Sequence, residues 1–107
     1  MTSVQQEADK VTVSLHGEVD VLNVDQVRSA LVTALDHKPR TIVVDLCALT
    51  FIDSTGLGAI VFGFQRCRDA GVTFRLSSPT RGVRQILVLS GLLEVVELTE
   101  DPGDRPL

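Results

Sequence analysis

The chain has no tryptophan and no tyrosine, and only four phenylalanines among its 107 residues. Stacking platforms for single-stranded nucleic acid need more aromatic faces than that. The core must therefore be aliphatic. Positive charge is also scarce: ten Lys and Arg stand against fourteen Asp and Glu, a net charge of −4. That is the wrong balance for neutralising a phosphate backbone, so no direct nucleic-acid partner is expected. No apolar run approaches the ~18 residues a spanning helix requires, and no membrane partner is expected either. Met1 to Lys10 is polar and acidic, unlike a signal or transit peptide, which makes the cytoplasm the expected compartment. Cys47 and Cys67 match no zinc spacing and no C-x-x-C pair. They read as reduced, small, buried hydrophobes. No metal or cofactor site is expected.

What remains is enough for one domain. The chain is 44% hydrophobic and 22% charged, and a domain of this length can bury roughly two-thirds of its unfolded surface. Charge is uneven along it: residues 1–53 carry net −4, residues 54–93 net +4, and residues 94–107 net −4.

Val11 to His16 alternates apolar and polar, the pattern of a strand with one dry face, and Gly17 is expected to end it. Asn23 and Gln26 resemble a capping box ahead of a helix from Val24 to about Asp36, stopped by Pro39. Thr41 to Leu46 is a β-branched run that reads as a central strand buried on both faces. Cys47 to Asp53 reads as a loop. A second helix is expected from Ser54 to Ala70, with Gly71 just past its end. Val72 to Leu76 alternates again. Ser78 and Pro79 look like the cap and first turn of a third helix, closed by Gly91. Val95 to Leu98 is a last short strand, and Ser3 to Glu7 a candidate extra one. Strands alternating with helices imply a mostly parallel sheet. Two strands have a wet face, so the helices should lie mainly on one side of a four- or five-stranded α/β domain. The domain is expected over residues 1–98, followed by a short acidic tail, residues 99–107, with two prolines.

The densest segment is Phe51-Ile52-Asp53-Ser54-Thr55-Gly56-Leu57-Gly58, at a strand-to-helix junction. A nucleophile elbow fails because Ile52 stands where G-x-S-x-G needs glycine. His16 and His37 read as solvated side chains. A dinucleotide fingerprint fails because Val61 replaces its third glycine, and no Walker motif is present. The chain is therefore not expected to be an enzyme. Asp53 or Ser54 should cap the helix. A hydroxyl there lies beside the positive helix end, where an added phosphate would be tolerated. Gly58 and Gly63 each cost ~1 kcal/mol inside a helix; close packing and a flat docking face both remain open as reasons. Gly17-Glu18-Val19-Asp20 is either an ordinary acidic loop or, since loops leaving parallel strands share one edge, a neighbour of Asp53 and Ser54. Arg75, Arg81 and Arg84 form either a solvated face or a second contact surface.

The strand, G-E-V-D, helix, V-V-D-L, then L-T-F-I-D-S-T-G-L-G, and finally Ser90-Gly91-Leu92, together resemble the STAS domain. The likeness is to its stand-alone bacterial anti-sigma-factor antagonists and covers about Val11 to Leu98. It implies partner switching. The unphosphorylated antagonist binds an anti-sigma factor that is also a serine kinase, and a sigma factor is released. The kinase then phosphorylates the serine of D-S-[ST]-G, here Ser54, and a serine phosphatase reverses this. The resemblance assigns partner contacts to Glu18, Asp20, Asp53, Thr55, Gly56 and Leu57. It also implies a helix after the last strand, which Thr99 to Leu107 predicts to be short or absent. A monomer or weak dimer is expected. The alternative within the same family is a non-switching scaffold or accessory module.

Overall fold

The computed structural model describes residues 2–99. A hairpin comes first, β1 (Thr2–Glu7) and β2 (Lys10–Val19), followed by α1 (Val24–Asp36), β3 (Thr41–Ile52), α2 (Ser54–Ala70), β4 (Thr73–Ser77), α3 (Arg81–Leu89), a short 3₁₀ turn (Leu92–Glu94) and β5 (Glu97–Thr99). The sheet runs β1-β2-β3-β4-β5 in chain order. β1 is antiparallel to β2, and every later pair is parallel.

That order explains the layering. Parallel crossovers share one hand. When strands are added in one direction only, each crossover helix lands on the same side. One face of the sheet is therefore dry: Val11, Val13, Leu15, Ile42, Val44, Leu46, Phe74 and Leu76 join α1, α2 and α3 in a single core. The other face carries, in register, Thr12 beside Val43 beside Arg75 beside Glu97. Arg75 is ion-paired to Glu97 there. Ile42, Val43 and Val44 are all buried as the β-branched run predicts, but Val43 lies on the face away from that core, between its register neighbours. Among the described residues the strand order never reverses, and the sheet they form lacks a topological switch point.

The structure corrects several local expectations. Cys47 to Ile52 is not a loop but the second half of β3. Its pairing with β2 slips by one residue between Ser14 and His16, and again between Gly17 and Glu18. β3 supplies the extra residue each time. Buried side chains there recur every third position, Leu46, Leu49 and Ile52, rather than every second, which hides a strand from a period-2 reading. Asp45 steadies the first bulge by accepting from the Cys47 amide at 3.0 Å. Gly17, at φ +75°, does not end β2; it sits where the second slip falls, a backbone shape glycine adopts freely.

Asn23 makes no cap on α1. The third helix starts at Arg81, with Thr80 as its cap, not at Pro79 with Ser78. Thr80 Oγ1 accepts from the Val83 amide at 3.4 Å and donates to the Leu49 carbonyl at 3.3 Å, tying α3 to β3. Thr99 belongs to β5. The remaining tail and any helix in it fall outside the described residues. Cys67 is buried but Cys47 is exposed, and neither is in a disulfide. Arg75 lies on the sheet's open face while Arg81 and Arg84 lie on α3, so the three do not form one surface.

The two interior glycines of α2 separate. A Cβ on Gly63 would come within 2.9 Å of Leu31 and 3.2 Å of Phe74; one on Gly58 would meet nothing within 4 Å. Gly63 is thus a packing residue and Gly58 is not. Gly58→Ala should raise stability by about 0.5–1 kcal/mol, whereas Gly63→Ala should lower it by about 1–3 kcal/mol; urea midpoints at constant m-value decide both.

Burial pushes the Cys67 thiol from its ordinary 9.0 up to about 11. The folded state thus holds its proton more tightly than the unfolded chain does. The resulting stabilisation is complete below pH 9 and is lost as pH rises through 11, on the order of 2–3 kcal/mol in all. Denaturation of wild type and Cys67→Ala across pH 8–11 should show that extra loss only in the wild type.

Candidate functional site at the C-terminal edge of the sheet

β2 and β3 finish side by side, Glu18 opposite Phe51 and Val19 opposite Ile52. The chain then leaves each strand by an aspartate, Asp20 and Asp53. The Asp53 amide donates to the Val19 carbonyl at 3.3 Å, so the two exits are stitched together. The acidic loop and the D-S-T-G segment, 33 residues apart in sequence, form one rim.

Asp53 caps α2. Its Oδ1 accepts from the Gly56 amide at 2.8 Å, and its carbonyl accepts from the Leu57 amide at 2.9 Å. This occupies part of the donor set at the helix start. Gly56 is pressed against the strand ends: a Cβ there would lie 2.5 Å from Ile52 Cγ1 and 3.0 Å from Val19 Cγ1. The first turn of α2 can sit this low only with glycine at that place. Ser54, the first helical residue, is exposed, while Thr55 and Leu57 are half-buried. Among the described residues the Ser54 hydroxyl has no hydrogen-bond partner.

The other half of the rim is built by Asn23. Its Oδ1 accepts from the Asp20 amide at 3.0 Å and its Nδ2 donates to the Glu18 carbonyl at 2.8 Å. Asp20 Oδ1 in turn accepts from the Leu22 amide at 2.9 Å, and the Asp20 carbonyl receives the amides of Asn23 and Val24. Asp20 is thereby held in a tight turn at the entry to α1. Glu18 is exposed at the end of β2.

Val21 and Leu22, 69% and 90% exposed, follow Asp20 in the same turn, and Phe51, 45% exposed, lies opposite Glu18. Sequence reasoning assigned none of the three to the site. The available signal was an apolar pair placed in a turn that has no core to serve. The rim therefore combines an acidic pair, an accessible hydroxyl at a helix N-terminus and solvated apolar side chains. Among the described residues no group of three or more His, Cys, Asp or Glu could hold a metal ion.

Residues 1–104 match the family model described as the STAS domain. The chain belongs to the STAS domain family. Among relatives, it is 25% identical over 96 residues to the anti-sigma-B factor antagonist of Bacillus subtilis, covering 90% of this chain and 87% of that one. An anti-sigma factor antagonist from Mycobacterium paratuberculosis superposes with a TM-score of 0.87 at 23% identity, covering 97% and 88% of the two chains. The phosphorylated form of the Bacillus cell fate determinant SpoIIAA superposes with a TM-score of 0.74 at 23% identity, covering 96% and 95%. This five-stranded, mostly parallel sheet is the STAS fold of those structures.

Within this STAS domain the Asp53 cap can be tested by itself. Asp53→Ala should remove about 1 kcal/mol of stability, lowering the melting temperature by about 4–8 °C. Calorimetry of the two proteins, with amide exchange at Gly56 as the local readout, checks this.

Proposed function

We propose that this STAS domain is an anti-sigma-factor antagonist that binds a serine-kinase anti-sigma factor while Ser54 is unphosphorylated. The observation that carries the reading is the position of Ser54. It is an exposed, unengaged hydroxyl at a helix N-terminus, on a rim with Asp20 and Asp53. The name of the Bacillus subtilis relative and the existence of a phosphorylated SpoIIAA with the same overall fold support it. The partner contacts proposed are Glu18, Asp20, Asp53, Thr55, Gly56 and Leu57, with Val21, Leu22 and Phe51 as apolar neighbours. On this reading the protein is a ligand and a substrate, not a catalyst. The γ-phosphoryl group of ATP passes to Ser54 Oγ, ADP leaves, and the serine proton is released; a serine phosphatase then uses water to restore the hydroxyl and release inorganic phosphate.

The choice of Ser54 over Thr55 follows from access, since Ser54 is exposed and Thr55 half-buried. The phosphate acts through charge rather than by unfolding. About −1.5 to −2 of charge is added at a helix end that accommodates negative charge. The same charge stands beside Asp53 and Asp20, facing a kinase site that already holds nucleotide phosphates. Like charges desolvated together cost several kcal/mol, and each ~1.4 kcal/mol is tenfold in affinity.

Incubation with the host's anti-sigma kinase, ATP and Mg²⁺ should add one phosphate, located by mass spectrometry on the Ser54 peptide. Ser54→Ala should take up none yet keep binding. Ser54→Asp should weaken binding by about tenfold or more while melting shifts by only a few degrees, and Asp20→Asn should alter kinase binding or phosphorylation with stability little changed. Phosphate on Thr55 refutes the site. Tight binding with no phosphorylation supports the scaffold reading instead. Loss of α2 signal in hydrogen exchange on phosphorylation refutes the electrostatic account.

A further inference from the structure

The two edges of the sheet are guarded differently. Among the described residues β5 is three residues long, and its one exposed residue, Glu97, is ion-paired to Arg75. β1 is twice as long, and residues 3–7 of it are exposed. It pairs with β2 on one side, and its other side is the edge of the sheet. An edge strand presents a row of backbone N–H and C=O groups, which proteins commonly blunt with lysine, proline, bulges or short length. Thr2 to Gln6 has none of these. It carries no charge and no proline, and its register with β2 runs without a slip from Thr2 opposite Leu15 to Glu7 opposite Lys10.

Beside this edge lies a groove of about 470 Å³, bordered by Thr2 and Val4 of β1 and by Asp25, Gln26, Ser29, Ala30 and Thr33 of α1. Val4, 38% exposed, is the apolar side chain of β1 that faces it. The helix residues are small or polar apart from Asp25, whose charge is paired with Arg28 on α1 itself, so α1 leaves room next to Val4 for another side chain.

We infer that β1 pairs antiparallel with β1 of a second copy of this chain, about a two-fold axis at Val4. An axis normal to the sheet keeps both sets of helices on one face, so residues of like parity must oppose each other. Centred on Val4, the strand is its own complement. Val4 meets Val4 of the second copy over the groove, Ser3 meets Gln5, and Thr2 meets Gln6. No charge faces a charge, because Glu7 lies beyond the paired span. Centring on Gln5 instead would set Val4 against Gln6 and lose the apolar pair. The neutrality of Thr2–Gln6 and the single valine at its midpoint are what select a second copy over a foreign strand. The product is a continuous ten-stranded sheet with one open face.

The inference does not depend on the chemistry of Ser54. Thr2 reaches only as far as Leu15 along β2, four residues short of Val19. Pairing at β1 therefore leaves the rim free, and the two-fold sends the two rims to opposite ends of the dimer.

Sedimentation equilibrium of the full chain from micromolar to near-millimolar concentration should show the mass rising from 11.6 kDa toward twice that value. Val4→Lys sets two like charges on the axis and should weaken association by about tenfold or more, with the circular dichroism spectrum unchanged and melting of the dilute monomer shifted by no more than a few degrees, because Val4 is 38% exposed. In a Cys47→Ser background, Val4→Cys should cross-link to its own copy under mild oxidation, and Gln6→Cys, whose opposite residue is Thr2, should not. A chain that stays monomeric throughout overturns the inference, as does a dimer indifferent to Val4→Lys. Cross-linking at Gln6→Cys but not Val4→Cys overturns the register. A monomer that captures a foreign strand at β1 overturns the choice of occupant.

Discussion

The contact between Gly56 and the ends of two strands governs the Ser54 edge. Ile52 and Val19 meet the first turn of α2 at a distance that admits no Cβ. That closeness lets α2 begin one residue after β3 ends, with Asp53 as both the connecting residue and the cap. The Asp53 amide reaches the Val19 carbonyl from the same position. A side chain at residue 56 would lift the helix start away from the strands and separate Ser54 from the loop that carries Asp20. One missing methyl group thus links the helix cap, the joining of two loops and the exposure of a hydroxyl.

Legibility from sequence followed periodicity. α2 was readable to its bounds, since an acidic cap, a run of apolar residues at helical spacing and a terminal glycine all agree there. β2 was readable over Val11–His16 because alternation is undisturbed. The second half of β3 was not, because two bulges convert a two-residue repeat into a three-residue one. The bulges come from the pairing of β3 with β2, a relation between distant segments that no local window contains. The Thr80 cap was missed for a similar reason: Ser78 and Pro79 offer a better local signal, but Thr80 also reaches the Leu49 carbonyl across the fold. Asn23 shows the reverse. Its type and spacing suggested a helix cap, yet its side chain spans Glu18 and Asp20 and builds the acidic turn instead.

The candidate site was legible in its polar members and obscure in its apolar ones. Glu18, Asp20, Asp53 and Ser54 stand out because charge and hydroxyl at strand ends are chemically suggestive. Val21, Leu22 and Phe51 do not, because apolar residues are assigned to cores by default. Their exposure depends on the turn at Asp20 and the bulged end of β3, both of which are tertiary outcomes. Without the apolar neighbours, the rim would offer a partner mainly solvated charge, which contributes little at an interface. On the proposed function, desolvated apolar contact would supply affinity and the charges would decide how that affinity responds to an added phosphate.

The one-faced sheet has a further consequence for how such a small domain divides its surface. Helices on a single side concentrate the apolar burial into one core and leave the opposite face to pairs such as Arg75 and Glu97, which need no cover. The C-terminal edge is shaped by close packing at Gly56 and bears the exposed Ser54 hydroxyl. The β1 edge is uncharged from Thr2 to Gln6 and, among the described residues, no strand pairs with its outer side. These surfaces meet the core through different residues, Val19 and Ile52 for one and Val13 for the other. Coupling between the two would need a connecting element with two alternative arrangements. On the proposed function, charge added at Ser54 would be a local event, with its consequence falling on the partner docked against the rim.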